Sequence, residues 1–545
     1  GVITFAKLGK DFENGRVELS YTGASNNLIG NGLVPGFMLG ADNTDVNTVP
    51  DLTENRYHKL NLGLTQFIDE KTMFSANAYY VSSNRYTVNG DAEINGVVVG
   101  GVETDIIDEV EGELNHTKTK QDKYGISGQL TLSEDLFGKK NHLVVGSVLE
   151  TSLISFNQGT FEELSIQANR AIAVDNTDNH ATTTDLSGRT KTFGIYAVDT
   201  LSLNDQWHVT GGLRYNYTQV DNSDRLNGDA AATTLTAKQG WGRINPTVGV
   251  TYKPSDNYST YVNYSESNRA PTSIELGCSN PAAPCTLPTQ MADDPPLRDV
   301  VAKTYETGAR GILANGLSWN VSAYHSYNHD DLQFINSSTT TGQGYFDNLG
   351  RTRRDGIDVG LAGKGLFNLA DIRDLSWNAS YGFVHATFDS DLNLPNEVNT
   401  SADGVFDDGI QVKKGDLLTN IPMHRIKLRL NYQVNDKFRV GTNLVGFSKS
   451  YMLGNENQKH NGDGEIPGYF ILNMDANYKV APKWNLALKA INLLDQDYYT
   501  GGRLVQNGFT GNGNETRAGA NAYSGSAVLP GAPRAAWVTL SYDFK

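Results

Sequence analysis

The sequence predicts an all-β protein, a transmembrane antiparallel up-and-down β-barrel. Long segments alternate apolar and polar side chains with a period of two, and tight turns alternate with long loops between them. The turns at 68–71 and 254–257 are tight, for example. A barrel in an outer membrane keeps short turns on its periplasmic side and long loops outside the cell. The long connections are expected at 24–56, 86–119, 157–189, 269–298, 389–419 and 495–532.

The clearest predicted strand covers residues 207–218. Trp207, Leu213 and Tyr217 lie on one face of it, and His208 and Arg214 lie on the other. A tilted strand needs about 9–11 residues to cross a bilayer, whereas strands of soluble proteins average about five or six. Aromatic residues recur near strand ends, where barrels place their interfacial girdles. About nineteen such strands are predicted, at 1–8, 16–23, 57–68, 73–85, 120–132, 142–156, 190–202, 206–219, 239–253, 258–268, 299–311, 317–334, 344–363, 373–388, 420–434, 437–450, 467–480, 484–494 and 533–544.

The composition fits a single architecture over residues 1–545. Hydrophobic residues make up 38% of the chain, the mean hydropathy is -0.42, and no window offers the roughly 20 apolar residues of a spanning helix. A net charge of -16 argues against a nucleic-acid partner, which would favour a basic surface. The acidity either keeps the loops soluble or equips them to bind cations.

The predicted number of strands is odd, whereas single-chain bacterial barrels have even numbers. If the last strand descends to the periplasm, the first strand also descends, and its upward partner should precede Gly1. The sequence therefore predicts a barrel that lacks its N-terminal part.

Three regions carry a family resemblance, and the first of them has two parts. Residues 264–276 read YSESNRAPTSIEL and residues 303–308 read KTYETG. Residues 490–499 read AINLLDQDYY, and residues 537–545 read WVTLSYDFK. These stretches resemble the middle of the barrel, the element before the last long loop and the aromatic-ended last strand of TonB-dependent outer-membrane receptors. Lys545 departs from the pattern, since family members usually end on the aromatic residue.

The resemblance covers most of the chain, as barrel only. It implies 22 strands, of which about three would be missing here, together with a plug domain and a TonB-binding box. It further implies a monomer in the outer membrane of a Gram-negative bacterium, energised through the missing segment by TonB with ExbB and ExbD. Structural rather than ligand-binding roles are implied for Arg269, Pro271, Glu275, Glu306, Asn492, Leu493, Asp495 and Tyr498, and an assembly signal for Tyr542 and Phe544.

Few residues in the predicted loops point to chemistry. Cys278 and Cys285 are expected to form a disulfide, because the compartment is oxidising and the number of cysteines is even. The sequence Asp-Asn-Thr-Asp occurs at Asp42–Asp45 and Asp175–Asp178, where its oxygens are either Ca²⁺ ligands or part of Asx turns. Aromatic side chains in the loops are candidates for stacking on a ligand: Phe37, Tyr345, Phe346, Tyr451 and Tyr523.

The expected function is active uptake of a scarce solute. The resemblance favours siderophore-bound iron, with cobalamin, haem and oligosaccharide as alternatives. A passive porin is a second hypothesis, although porins use about 16–18 strands. A third is an outer-membrane hydrolase or adhesin. The chain has no nucleophile elbow, zinc-protease helix or phosphate-binding loop, so we expect no enzymatic activity.

Overall fold

The computed structural model describes residues 1–545 except 31, 41–44, 100–101, 174–178, 228–233, 278–284, 287–297, 315, 337–342, 349, 366–373, 397, 402–408, 511–514, 517–523 and 544–545. Within the described residues, twenty-one strands form one large sheet. Two of these are the two-residue strands Asp135–Leu136 and Ile172–Ala173. The other nineteen follow one another as an antiparallel meander, which confirms the predicted all-β class and the predicted strand number.

The nineteen strands are numbered here in chain order. Their bounds are β1 Val2–Phe12, β2 Gly15–Ile29, β3 Asp51–Phe67, β4 Thr72–Val99, β5 Val102–Leu132, β6 Lys139–Ile166, β7 Asn179–Ser202, β8 Trp207–Asp224, β9 Ala237–Ser255, β10 Tyr258–Arg269, β11 Val300–Ile312, β12 Ser318–His329, β13 Arg351–Lys364, β14 Leu375–Phe388, β15 His424–Asn435, β16 Phe438–Phe447, β17 Tyr469–Ala481, β18 Trp484–Ile491 and β19 Ala535–Tyr542.

Smaller elements lie in the connections. They are the α-helix α1 at Ser273–Gly277, the 3₁₀ helix Met38–Gly40, and short strands at Val34–Pro35, Cys285–Thr286, Leu332–Asn336, Gln343–Asn348, Leu392–Pro395, Gly409–Val412, Ser450–Tyr451, Glu465–Ile466, Tyr499–Gln506, Phe509–Thr510, Glu515–Thr516 and Ser524–Pro530. In the part of the chain that the structure covers, no helix is both long and apolar enough to cross a membrane.

The connections have the predicted sidedness. Two residues separate β1 from β2, β9 from β10, and β17 from β18, all at the same end of the sheet. At the other end, twenty-one residues separate β2 from β3 and forty-three separate β18 from β19. We call the described residues of 30–50, 86–119, 157–189, 225–236, 270–299, 330–350, 389–423, 448–468 and 492–534, which rise at this second end, the crown.

Two predicted loops are largely strand. Residues 86–119 form the distal halves of β4 and β5, paired from Tyr86 with Lys118 up to Val99 with Val102. Much of 157–189 likewise belongs to β6 and β7. The prediction is wrong here because polar side chains alone do not end a strand. Cross-strand pairing satisfies the backbone wherever two extensions run side by side, whatever their side chains.

Three predicted strand boundaries also differ from those in the structure. The strand predicted at 317–334 stops at His329, before Asp330 with its φ of 53°. Residues Gln343–Asn348, predicted as the start of the next strand, pair instead with Leu332–Asn336. The strand predicted at 484–494 ends at Ile491, because Asn492 has a φ of 46°. At both positions the left-handed backbone turns the chain out of its extended conformation.

The apolar face of the strands is the exposed one. In β8, Leu213 is 60% exposed and Tyr215 is 38% exposed, whereas Arg214 and Asn216 between them are half-buried. Val248 on β9 and Val262 on β10 continue this surface at 52% and 63% exposed. A soluble sandwich would bury such residues between its sheets. A membrane barrel turns them toward lipid.

The opposite face is polar and internally paired. Lys123 and Glu150 approach to 2.7 Å, Arg425 and Asp358 approach to 3.3 Å, and Arg429 contacts Asp475. Half-exposed pairs of this kind contribute about 0–1 kcal/mol each to stability. These pairs line the inner wall with polar groups and do not form a hydrophobic core.

The hydrophobic cores lie in the crown. The first crown cluster consists of Val34, Met38, Leu39, Met452, Ile466 and Val528. The second crown cluster consists of Leu394, Ile410, Val412 and Leu418, packed against Ala386 and Phe388 at the end of β14. Burying each such side chain stabilises the fold by about 1.5–3 kcal/mol. The long connections are therefore packed structures over one end of the barrel.

Candidate functional site

The crown joins the first and last long connections of the chain. Strands Tyr499–Gln506 and Ser524–Pro530 form a hairpin in the connection between β18 and β19. Val34–Pro35, between β2 and β3, adds a third strand to it, and the amide of Gly36 donates to the carbonyl of Ser526 at 2.9 Å. Connections near the two ends of the meander thus meet in one small sheet.

Two of the aromatic candidates lie beside the first crown cluster. Phe37 is 39% exposed and directly precedes the buried Met38. Tyr451 is half-buried and directly precedes the buried Met452, and the Nζ of Lys449 lies 5.7 Å from its ring centroid. The cluster holds the backbone of both residues, so their rings are candidates for contact with a ligand entering the crown.

The side chains of the other three aromatic candidates lie outside the described part of the structure. The backbones of Tyr345 and Phe346 lie in the strand Gln343–Asn348, but their side chains lie outside the description. Tyr523 lies outside the described residues.

A network of buried amides connects two crown segments. The Nδ2 atoms of Asn396 and Asn399 donate to the carbonyl of Gly454 at 2.7 and 2.8 Å. Asn399 also donates to Oδ1 of Asn457 at 3.3 Å, and Asn457 donates to Ser401 at 2.8 Å. Removing one partner from such a network leaves buried polar groups unsatisfied. The network therefore holds the segments around 396–401 and 454–457 together.

The distal parts of β4 and β5 carry carboxylates on one face. Asp91 is paired with Glu113 and Glu93 with Glu111 in the strand register, so all four side chains share that face. Glu113 is 5% exposed. It lies nineteen residues before the periplasmic end of β5 at Leu132, well beyond the roughly 9–11 residues that span a bilayer.

Burial shifts the pKa values of two ionisable side chains near this face, Glu113 and Arg503. Burial, and next the carboxylates of Asp91 and Glu93, raise the pKa of Glu113 to about 8. Arg503 is 1% exposed, and burial lowers its pKa to about 10 against the opposing charges of Asp91 and Glu456. This part of the crown therefore combines buried charges of both signs, and its net charge changes near neutral pH.

The family stretch at 264–276 leads into the capped helix α1 at the base of a long connection. Thr272 and Glu275 cap each other across the start of α1: the amide of Glu275 donates to Oγ1 of Thr272 at 3.2 Å, and the amide of Thr272 donates to the Glu275 carboxylate. Arg269 forms an ion pair with the same carboxylate. This is the geometry of a capping box, and Pro271 is buried beside it. Separately, Glu306 accepts from the hydroxyl of Tyr261.

The motif at 490–499 forms a tight connection after β18. Asn492 is 1% exposed, and its Nδ2 donates to the carbonyls of Gln496 at 2.9 Å and Ala532 at 3.1 Å. The amide of Leu493 donates to the carbonyl of Leu472 at 2.8 Å. Asp495 accepts from Arg534, with 3.0 Å between charged atoms. These bonds tie the start of the last long connection to its end.

Tyr498 and the C-terminal aromatic residues pack locally. The ring of Tyr498 lies 4.7 Å from that of Tyr469, and a Cβ at Gly531 would lie 2.1 Å from Cζ of Tyr498, so only glycine admits this approach. Tyr542 packs on Trp484, with ring centroids 4.8 Å apart. Phe544 lies outside the described residues.

The predicted disulfide and calcium sites stay predictions. Cys278, residues 42–44 and Asp175–Asp178 lie outside the described residues. Cys285 lies in the strand Cys285–Thr286, opposite Gly344. Asp45 forms an ion pair with Arg170. Among the described residues, no group of three or more His, Cys, Asp or Glu side chains is arranged to hold a metal ion.

Sequence reasoning missed the amide network and the carboxylate face. Period-two spacing of Asp91 with Glu93, and of Glu109, Glu111 and Glu113, signals a one-sided acidic strand pair. The asparagines at 396, 399, 455 and 457 carried no comparable signal. Their contacts depend on the arrangement of two distant connections.

Comparisons with known proteins agree with this architecture. The family model described as TonB dependent receptor-like, beta-barrel matches residues 5–493. The chain is 26% identical over 321 residues to a probable TonB-dependent siderophore receptor, PiuA, of Acinetobacter baumannii, covering 58% of this chain and 38% of that protein. It is 23% identical over 334 residues to the catecholate siderophore receptor Fiu of Escherichia coli O157:H7, covering 57% of this chain and 39% of that protein. The chain thus spans less than half the length of these curated relatives.

Solved structures share the fold. The ferric-catecholate import receptor Fiu of E. coli K12 aligns with a TM-score of 0.66 at 15% identity, covering 97% of this chain and 72% of that chain. The ferric citrate transporter FecA aligns with a TM-score of 0.69 at 15% identity, covering 99% of this chain and 70% of that chain. The family is one of receptors and transporters rather than enzymes. From the family match over most of its length, the chain belongs to the TonB-dependent receptors, whose β-barrel it forms.

Proposed function

We propose that this barrel belongs to a receptor that takes up an iron–siderophore chelate across the outer membrane of a Gram-negative bacterium. The observation that carries the proposal is the family match over residues 5–493, together with relatives named as siderophore receptors.

The crown is the place where the chelate would be captured. Its clusters and amide network hold long connections in a fixed arrangement over the mouth of the barrel. Preorganised loops bind a ligand without first losing conformational entropy. Phe37 and Tyr451 would contact the apolar parts of a chelate, as Tyr and Trp anchors do at binding surfaces.

The polar inner wall would form the route to the periplasm. Paired charges such as Lys123 with Glu150 keep this wall hydrated. Passage against a gradient needs energy, which TonB with ExbB and ExbD would supply to a plug domain in the barrel. We propose that the receptor works as a monomer.

Uptake of radioactive iron tests the proposal. The gene is deleted in its host, and uptake is measured from a panel of ferric catecholate, hydroxamate and citrate chelates, with and without a functional tonB gene. We expect the deletion to abolish uptake of at least one chelate, and the loss of TonB to have the same effect. Unchanged uptake of every chelate would contradict the iron proposal, and haem, cobalamin and oligosaccharide uptake would then be measured in the same strains.

Conductance in a planar bilayer separates a receptor from a passive channel. The intact protein, purified from membranes, should leave the bilayer nearly silent if a plug closes its lumen. A permanently open pore of large conductance would favour a porin and would overturn the proposed active uptake.

A further inference from the structure

Two histidines meet on the wall of the barrel above the membrane belt. His116 lies on β5 and His180 on β7, on either side of β6. Their Nε2 atoms are 3.5 Å apart, and their rings are nearly parallel, with 5.1 Å between centroids and 23° between planes. His116 lies sixteen residues before Leu132 at the periplasmic end of β5, beyond the roughly 9–11 residues that cross a bilayer.

A glycine on the strand between the two histidines, β6, leaves room for their rings to meet. In the register, His116 faces Gly159 on β6. A Cβ at Gly159 would lie 2.7 Å from Cε1 of His116 and 2.9 Å from Nε2 of His180. Glycine at this position therefore opens the gap that both imidazoles occupy.

A register shift brings the second histidine to the same face. The pairing of β7 with β6 shifts between Thr182 and Thr184. Side chains alternate faces along a strand, so one extra residue moves every preceding side chain to the other face. Without this shift, His180 would lie on the opposite side of the wall from His116.

The surroundings leave the pair open on one side. The ring of Phe161 packs against both, with centroids 4.6 Å from His180 and 5.7 Å from His116. His180 is exposed and His116 is half-buried, so ions from solution reach the pair from the His180 side. An apolar ring packed against a histidine pair with one open side resembles the floor of a small surface site.

The nitrogen separation matches a shared metal ion. Zinc binds imidazole nitrogen at about 2.0–2.1 Å with tetrahedral angles, which places two ligand nitrogens about 3.4 Å apart. We propose that His116 and His180 form a two-histidine site for a divalent first-row transition ion, such as Zn²⁺, Cu²⁺ or Ni²⁺. Water would complete the coordination, because no third metal-binding side chain is arranged beside them among the described residues. A bound ion would fasten β5 to β7 at the outer rim.

Metal titration of the purified protein tests this site. The protein is extracted from membranes in detergent, stripped with a chelator, and titrated with Zn²⁺ against a chromophoric competitor. His116→Ala, His180→Ala and Gly159→Ala are compared with the wild type. The control is His424→Ala, which removes a histidine bonded to Tyr381 at a distance from the pair.

We expect one Zn²⁺ equivalent of micromolar affinity in the wild type and in His424→Ala. Each of the other three variants should bind that equivalent about tenfold more weakly or lose it. Gly159→Ala retains both histidines and only separates their rings, so it distinguishes chelation by the pair from binding to either histidine alone. Excess Ca²⁺ should not displace the ion, because calcium prefers oxygen ligands.

Equal Zn²⁺ binding by the wild type and by both histidine variants would overturn the proposal, as would a wild type that takes up no Zn²⁺ at micromolar concentration. A thermal scan with and without Zn²⁺ gives a second readout. The ion should raise the melting temperature of the wild type and leave that of His116→Ala unchanged. An equal rise in both would also contradict the site.

Discussion

Glu113 illustrates how one buried carboxyl sets a pH dependence in the crown. Its pKa is raised to about 8, first by burial and then by Asp91 and Glu93. In an opened hairpin the same carboxyl would titrate near its ordinary value of 4.5. The closed form therefore holds a proton that the open form has lost between these two pH values. Its stabilising contribution is complete below about pH 4.5 and is lost as the pH rises through about 8.

Glu113→Gln should remove this pH dependence, because the amide has nearly the same shape and does not ionise. Hydrogen exchange of the amides at 91–95 and 109–113, corrected for intrinsic rates, measures the opening. We expect protection of the wild type to fall between about pH 5 and pH 8. That of the variant should fall by less, because burial raises the pKa of only Glu93 and Glu111 there. The control is Glu109→Gln, which changes an exposed carboxylate on the same strand. A variant with the same pH profile as the wild type would contradict this account.

Leu488 and Ala487 are adjacent residues of β18 that lie on opposite faces of the barrel wall. Substituting each by arginine tests which face contacts lipid. Leu488 is 47% exposed, whereas Ala487 points to the polar side, opposite Asn477. Leu488→Arg should lower the free energy of unfolding by about 2–4 kcal/mol if the residue faces the bilayer midplane. Ala487→Arg should cost clearly less, since its charge meets a hydrated wall. Urea unfolding in lipid vesicles measures both, and equal losses would argue against lipid contact at residue 488.

At the scale of elements, the strands and the crown are stabilised differently. Strands β4 to β7 continue far beyond the membrane because each extension pairs with its neighbour. The other long connections instead rely on small clusters and side-chain hydrogen bonds. Because the wall carries its apolar residues outward, the packed interior that a soluble protein places between its sheets lies here in the loops.

Asn399→Ala should loosen the crown without unfolding the barrel. The substitution removes hydrogen bonds to Gly454 and Asn457 and leaves buried polar groups unsatisfied, at a cost of about 1–3 kcal/mol. We expect faster proteolysis at 396–401 and 454–460 and an unchanged melting temperature of the barrel. Asn461→Ala, at an exposed position, is the control and should cleave at the wild-type rate. Loss of the folded barrel in Asn399→Ala would show that the network supports more than the crown.

At the scale of the whole molecule, the ends of the meander are brought together through the crown. Among the described residues, β1 pairs with β2 and β19 pairs with β18, while Val34–Pro35 pairs with the hairpin before β19. An open sheet edge in lipid would leave backbone groups without partners. The contact between the first and last connections brings the two ends of the meander to the same part of the crown.

A pair of cysteines tests this contact. Gly36→Cys with Ser526→Cys, in a background with Cys278 and Cys285 changed to serine, should form a disulfide, because the amide of Gly36 donates to the carbonyl of Ser526 at 2.9 Å. After proteolysis between the two positions, the fragments should separate on a gel only after reduction. Gly36→Cys with Asn461→Cys is the control and should give free fragments. Free fragments from both pairs would show that the two connections do not meet.

The sequence by itself determined the barrel class, the nineteen-stranded meander that the described residues form and the side on which the long connections lie. These features follow from period-two polarity and from turn length, which are local properties of the chain. The strand at 207–218 could be assigned to a membrane wall for this reason, and the structure places Leu213 and Arg214 on opposite faces. The motif residues Arg269, Glu275 and Asn492 could be located by resemblance, but not the hydrogen bonds that they make.

Only the tertiary structure decided what the crown is made of. Asn399 meets Gly454 and Val34 meets Val528 across long stretches of chain, and His116 meets His180 over a glycine on the strand between them. Such contacts depend on strand register and on a one-residue shift in β7. Neither leaves a periodic trace in the sequence, because register is a relation between strands rather than a property of any one of them.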